Sequence, residues 1–179
     1  YNHSALTKLT GGKVLSSRWG DYATEWASVV ALTALAAALR LLFLAEIPPG
    51  LYHDEAFNGL DALGILRGEH AIYFAANRGR EPLFIYLIAV TVGVLGRTPG
   101  ALRLAAAACG TLTVPATYLM VRAWFNRHIA ILSAAIIATT YWHVHLSRVG
   151  FRAVTLPLAI ALAVWVSGRA YRSQRRGTW

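Results

Sequence analysis

The chain has 179 residues, of which 56% are hydrophobic and 14% charged, and its formal net charge is +9. Soluble domains average about 45–50% apolar and about 25% charged residues, so the composition excludes a disordered chain, a basic nucleic-acid-binding domain and an ordinary soluble enzyme. It predicts an all-α integral membrane protein, because so apolar a chain is typical of membrane-spanning helices.

The first predicted span follows a basic N-terminal tail. The tail covers residues 1–24 and the span residues 25–46, where Arg40 is the only charge between the two end residues. About 20 mostly apolar residues are enough to cross a bilayer. A Pro-Pro-Gly sequence at 48–50 ends the helix, because proline lacks an amide N–H and disfavours helix before it. Arg40 lies near the end of the span, so its side chain is expected to extend to the membrane surface.

A long segment at 47–99 follows, and it holds five of the eight acidic residues. A helix is predicted at about 54–67, because Asp54 is a favourable cap and Glu55 complements the positive end of the helix dipole. Apolar side chains also recur there at three-residue spacing, which is typical of a helix lying on a membrane surface. A second helix, at about 82–96, is too short for a clear span and is predicted to be interfacial.

The rest of the chain contains three more predicted spans with short connections. Cys109 lies inside an apolar run and is interpreted as a packing residue, and Arg103 is expected to extend to the membrane surface like Arg40. The predicted segments are spans at 100–121, 129–147 and 153–171, a basic loop at 122–128, a turn at 148–152 and a basic flank at 172–179.

The distribution of charge predicts the orientation. All eight acidic residues precede residue 82, whereas ten arginines follow it. Such an excess is typical of cytoplasmic anchors or of contact with phosphate groups. Nucleic acid is not predicted as a partner, because the arginines are scattered between apolar runs. The positive-inside rule places 1–24, 122–128 and 172–179 in the cytoplasm, which requires an even number of spans. We therefore predict four spans, since a fifth would place one basic flank outside.

Asp54 and Glu55 are the first candidates for chemistry. A carboxylate pair just outside a membrane span can accept the proton of a substrate hydroxyl. The alternative is that Asp54 only caps the helix and Glu55 only interacts with its dipole. His53 precedes the pair and is a further candidate.

Arg78 and Arg80 form a second group, next to Glu81. Arginine binds phosphate oxygens through two parallel hydrogen bonds and stays charged, so two arginines on a glycine-containing turn suit a lipid-linked phosphate. The alternative is a solvated loop with an internal ion pair.

Arg148 and Arg152 form a third group, on the predicted outer turn. No acid lies in their half of the chain, so their partner is an acid of the outer segment, a substrate phosphate or lipid headgroups. His143 and His145 are near Arg148, but alternate positions on a helix point in different directions, which disfavours metal or pigment binding. No cofactor is predicted, and no ligand set in the sequence supports a divalent metal.

The order of three motifs resembles the N-terminal part of GT-C membrane glycosyltransferases, in particular the protein O-mannosyltransferases and the lipid A aminoarabinose transferases. The resemblance extends over residues 24–172. The motifs read HDEAFNGLDALGILRGEHAIYF, then GREPLFIYL, then LGRTPGALRLAAAACGTLTVPATYLMVR.

The resemblance implies that a sugar is transferred, with inversion, from a polyprenyl-phosphate donor to an acceptor hydroxyl on the extracytoplasmic face. Asp54 would be the general base and Glu55 would position it. The implied phosphate-binding candidates are Arg78, Arg80, Arg148 and Arg152, with His53, Glu81 and His145 as further site candidates. The location implied is the plasma (inner) membrane of a prokaryote, with both termini cytoplasmic.

The length of the chain leaves a second hypothesis open. Members of this family normally have more spans than the four predicted here. The alternative is a non-catalytic glycosyltransferase-like subunit that packs against partner subunits in a larger membrane complex. Further spans encoded after residue 179 would favour the enzyme, and a stop codon there would favour the subunit.

Overall fold

The described part of the protein is built from helices. The computed structural model describes residues 4–75 and 79–176, with side chains at 22–75 and 79–174. These ranges contain no β-strand, only an isolated bridge between Phe74 and Arg80. The all-α prediction is therefore confirmed. The helices are α1 (Ser4–Leu41), α2 (His53–Leu66), α3 (Pro82–Leu95), α4 (Pro99–Trp124), α5 (Arg127–Thr139), α6 (Tyr141–Arg148) and α7 (Thr155–Arg176), with a 3-10 turn at Arg152–Val154.

Three helical segments of the described chain are long and apolar enough to cross a membrane, namely Tyr22–Leu41, Pro99–Trp124 and Arg152–Gln174. The consecutive helices α5 and α6, which meet at a bend of 51°, together meet the same criterion and make a fourth candidate. This agrees with the prediction of about four spans. Helix α3 is apolar but shorter.

The candidate spans alternate in direction. At one end of the bundle, Arg122 donates to Glu25 over 2.7 Å, and the ring of Trp124 lies against Gly168. At the other end, Arg103 of α4 donates to the carbonyl oxygen of Leu44, which follows α1. Helices α1 and α4 are therefore antiparallel, and α7 runs parallel to α4. The start of the first span and the end of the last lie at the same end of the bundle.

Among the described side chains, two apolar clusters hold the helices together. One joins α1, α4 and α5 through Ala130, Ala134 and Ala138, which recur every four residues and are fully buried. Such small side chains allow helices to approach closely in a membrane. The other cluster packs α2 and α3 onto α4 and includes Phe84, Ile88 and Leu102. It holds the two short helices at the end of the bundle where α4 begins.

Helix α1 ends at Leu41, earlier than the predicted limit of 46, and the chain turns at 42–46. Phe43 adopts a positive φ of 54° within these turns. The last carbonyl groups of a helix need donors from elsewhere. Arg148 supplies them, because its guanidinium donates to the carbonyl oxygens of Leu39, Phe43 and Ile47 at 2.9, 3.4 and 3.0 Å.

The predicted span at 129–147 is interrupted at Thr140, whose ψ of 118° is outside the helical range. The break frees carbonyl groups that Arg40 satisfies by donating to Ala138 and Ile137 over 3.1 and 3.2 Å. The same guanidinium lies 2.9 Å from Nδ1 of His143. Arg40 is fully buried, so the expectation that it extends to the membrane surface was wrong. Broken backbone inside a membrane protein is tolerated where other groups satisfy it.

Gly110 of α4 permits the close approach of α6. A Cβ added at Gly110 would lie 2.8 Å from Cβ of the fully buried Ser147. We predict that Gly110→Ala destabilises the protein by about 1–3 kcal/mol, because the Cβ of Ser147 is attached directly to the α6 backbone and α6 must move to make room. Thermal unfolding in detergent measures the effect. Gly93→Ala is the matched control, since its nearest neighbour is a terminal methyl group of the exposed Leu66. Equal destabilisation by both substitutions would contradict the prediction.

Candidate functional site

Helix α2 begins one residue before its predicted start. The cap is Tyr52 rather than Asp54, and the backbone N–H of Tyr52 donates to Oε2 of Glu55 over 2.8 Å. The prediction of Asp54 as the cap was therefore wrong. Asp54 and Glu55 occupy the second and third positions of the helix, where carboxylates interact favourably with its positive end.

Glu55 is buried against Arg103 of α4. The two side chains are 1% and 0% exposed. Nε of Arg103 donates to Oε1 of Glu55 over 2.7 Å, and Nη2 donates to Oε2 over 3.1 Å. Two parallel charge-assisted hydrogen bonds of this kind fix both partners in orientation. The pair joins the first turn of α2 to the first turns of α4.

Arg103 also holds the segment that links α1 to α2. Its Nη1 donates to the carbonyl oxygens of Leu44 and Pro48 over 3.2 and 2.8 Å, and its Nη2 donates to Gly50 over 2.5 Å. The expectation that Arg103 extends to the membrane surface was wrong. Its guanidinium is instead the central donor beneath the start of α2.

Asp54 points to the other side of α2, into an open cavity of about 540 Å³. Its side chain is 36% exposed, and one carboxylate oxygen lies 3.7 Å from Nδ1 of His53. The cavity lies at the end of the bundle where α4 begins. Its lining is mainly polar and comes from α2, from Arg80 and from the turn before α7, with the members Tyr52, His53, Asp54, Asn58, Arg80, Phe151 and Arg152.

Arg80 forms a fixed wall of this cavity. It is 3% exposed. Its guanidinium donates to Oδ1 of Asn58 over 2.6 Å and also forms an ion pair with Asp61. Its backbone pairs with Phe74 in both directions, at 3.1 and 2.9 Å. The side chain is therefore held at both ends.

Arg152 is the more accessible cation of the cavity. Its Nη1 lies 2.7 Å from Oε2 of Glu81, and the two side chains are 38% and 58% exposed. Exposed ion pairs contribute only about 0–1 kcal/mol, so another anion can replace Glu81 at low cost. One of the partners expected for Arg152 from the sequence, an acid of the outer segment, is the one it has in the structure.

The family of dolichyl-phosphate-mannose-protein mannosyltransferases matches residues 79–179. The chain belongs to this family. It is thus a membrane module of the GT-C glycosyltransferase type, as the sequence motifs indicated. No curated protein and no solved structure gives a significant match. The matched part contains Arg80 and Arg152 and begins after α2, so it does not include Asp54.

Some of the predicted site residues do not lie at the Asp54 cavity. Arg148 lies against the turns after α1. His145 lines a neighbouring cavity of about 470 Å³, together with Trp142, Glu55 and Arg103. Arg78 lies outside the described residues. In the described parts of the chain, no three His, Cys, Asp or Glu side chains are grouped to hold a metal ion.

Two polar residues that hold Arg80 at the site were not predicted from the sequence. Asn58 and Asp61 were not candidates, yet Asn58 is 2% exposed and both contact Arg80. They lie four and seven residues after Asp54. Residues at this spacing share one face of a helix, so the spacing was a signal that could have identified a polar face on α2.

Breaking the buried pair should have a much larger effect than breaking the exposed one. We predict that Glu55→Ala destabilises the protein by about 3–5 kcal/mol, because it leaves a buried guanidinium without its counter-charge. Glu81→Ala is the matched control and should cost less than about 1 kcal/mol, since its pair with Arg152 is exposed. Thermal unfolding in detergent compares the two. Similar losses of stability would show that the buried pair of Glu55 and Arg103 contributes no more to stability than the exposed pair of Glu81 and Arg152.

Proposed function

We propose that this chain transfers a sugar from a polyprenyl-phosphate donor to an acceptor hydroxyl, with inversion at the anomeric carbon. Mannose is the first sugar to test, because the family that the chain belongs to is named for it. The observation that supports the proposal best is the cavity that Asp54 shares with Arg80 and Arg152. Such a cavity offers a base for the acceptor and cations for the phosphate.

The proposed reaction takes place on the extracytoplasmic side of the membrane. Arg122 near the end of α4 and Arg127 at the start of α5 flank the link between these helices, and α7 ends in a basic stretch that begins at Arg169. Both lie at the end of the bundle opposite the cavity, and the positive-inside rule assigns that end to the cytoplasm. Both termini are then cytoplasmic. The proposed location is the inner membrane of a prokaryote.

Asp54 is the proposed general base. The hydroxyl proton passes to its carboxylate while the hydroxyl oxygen bonds to the anomeric carbon, and the bond from that carbon to the phosphate oxygen breaks. Attack from the face opposite the phosphate inverts the carbon and releases polyprenyl phosphate. Glu55 is a positioning residue, since its pair with Arg103 fixes the first turn of α2 from which Asp54 projects.

Arg152 is the proposed main phosphate ligand. The leaving phosphate gains negative charge as the sugar departs, and fixed cations that meet this charge lower the barrier. Arg152 needs only to exchange Glu81 for the phosphate, and both are on the exposed rim of the cavity. Arg80 is held by Asn58 and Asp61 and supplies a second cation whose position does not change.

Asp54→Asn tests the base. We predict a loss of transfer of about 10²–10⁴-fold, the usual contribution of a general base, with an unchanged unfolding temperature. The assay follows transfer of radiolabelled mannose from polyprenyl-phosphate mannose in proteoliposomes. The matched control is Glu46→Gln, an exposed acid of the turns after α1, which should keep full activity. An active Asp54→Asn protein would refute the assignment. If the unaltered chain transfers no sugar and co-purifies with partners in fixed ratio, the subunit hypothesis is favoured.

Arg152→Gln tests the phosphate ligand. We predict a fall in kcat/KM for the lipid donor of about 10²–10³-fold, the effect of removing one group that stabilises charge in the transition state. The fall should appear mainly in kcat, because the charge develops as the bond breaks. Arg67→Gln removes an exposed arginine at the end of α2 and should have no effect. A change in KM alone would show that Arg152 binds the donor but does not stabilise the leaving phosphate in the transition state.

A further inference from the structure

A second cavity, of about 320 Å³, lies between α2, the end of α3 and the start of α4. It does not belong to the Asp54 site. Successive helix residues are rotated by about 100°, so Gly59 and Leu63 lie on the face of α2 opposite Asp54 and Asn58. Apolar side chains dominate its lining, among them Leu51, Leu60, Leu63, Val92 and Leu102.

The cavity lies at the level where a membrane span ends. Helix α4 has 26 residues, which corresponds to a length of about 39 Å, whereas the hydrocarbon core of a bilayer is about 30 Å thick. Pro99, the first residue of α4, lines the cavity. The cavity is therefore close to the boundary between acyl chains and headgroups, and Leu60 of its lining is exposed.

Arg97 supplies a single positive charge at the cavity. It is exposed, and its guanidinium forms no hydrogen bond or ion pair with the described residues. No acidic residue contributes to the described lining. The hydroxyl of Thr98, also in the lining, caps α4 by accepting from the N–H of Ala101 over 3.1 Å. An apolar cavity with one cation complements a molecule that has an apolar chain and an anionic head.

We propose that this cavity binds an acyl chain of an anionic membrane phospholipid, with the headgroup phosphate at Arg97. The apolar lining favours a lipid over a free phosphate, because a water-soluble anion gains nothing from it. This cavity and the Asp54 site lie on opposite faces of α2, so the bound lipid is not the sugar donor. The proposal does not depend on the proposed function.

The test measures the thermal unfolding of the full chain in detergent with added lipids. Ligands that bind only the folded state raise the unfolding temperature. We expect phosphatidylglycerol to act at a concentration at least tenfold lower than phosphatidylcholine, and glycerol 3-phosphate to have no effect. Arg97→Gln should remove the preference for phosphatidylglycerol. Arg67→Gln, the matched exposed arginine, should keep it. Each variant is compared with its own lipid-free value, and native mass spectrometry counts the bound lipid.

Leu60→Ser tests the chain-binding part. Leu60 is 64% exposed, so its replacement should leave the fold intact. It should weaken the binding of both lipids equally. Four results would overturn the proposal. They are equal effects of the two lipids on the unaltered chain, loss of the preference in Arg67→Gln, displacement of phosphatidylglycerol by equimolar polyprenyl phosphate, and a dimer that Leu60→Ser dissociates. The last two would assign the cavity to the donor or to a second copy of the chain.

Discussion

The buried pair of Arg103 and Glu55 fixes the part of the structure that contains the candidate site. Removing two charges from water costs several kcal/mol per ion, and the cost is offset only when the remaining donors and acceptors are satisfied. Here the guanidinium donates to both carboxylate oxygens and to three backbone carbonyls of the segment after α1. One side chain of α4 thus holds the link at 44–50 and the first turn of α2 in place.

The neighbouring carboxylates of Asp54 and Glu55 have different surroundings because successive residues of a helix are rotated by about 100°. Glu55 faces α4 and is 1% exposed, so it is committed to Arg103. Asp54 faces the cavity and is 36% exposed, so its oxygens are accessible to a substrate. The buried neighbour fixes the backbone from which the accessible one projects. Preorganisation of this kind would serve the proposed base, since misplacement by about 1 Å can reduce a rate by about 10²-fold.

The sequence predicted the features that depend on local pattern. The apolar helices and the start of α2 follow from hydrophobic runs, prolines and turn residues, and most of their ends lie within a few residues of the predicted limits. The exceptions are α1, which already begins at Ser4 and ends early, and the third predicted span, which breaks at Thr140. The partners of Arg40 and Arg103 were beyond such reasoning. Arg103 meets an acid 48 positions earlier, and Arg40 meets carbonyls 97 and 98 positions later. Only the packing of the helices brings these groups together.

The breaks in the helices and the surplus of arginine share one explanation. A broken helix inside a membrane leaves carbonyl oxygens that need donors, and a buried arginine needs acceptors. Arg148 donates to the turns after α1, Arg40 to the break at Thr140, and Arg103 to the link at 44–50. The segment after α1 therefore contacts two arginines and the break at Thr140 contacts one, and Arg148 and Arg40 make these contacts without an acid. Among the arginines after Glu81, Arg148 needs no acid, whereas Arg103, Arg122 and Arg152 pair with Glu55, Glu25 and Glu81. The cations at the Asp54 cavity likewise pair with acids from the first 81 residues.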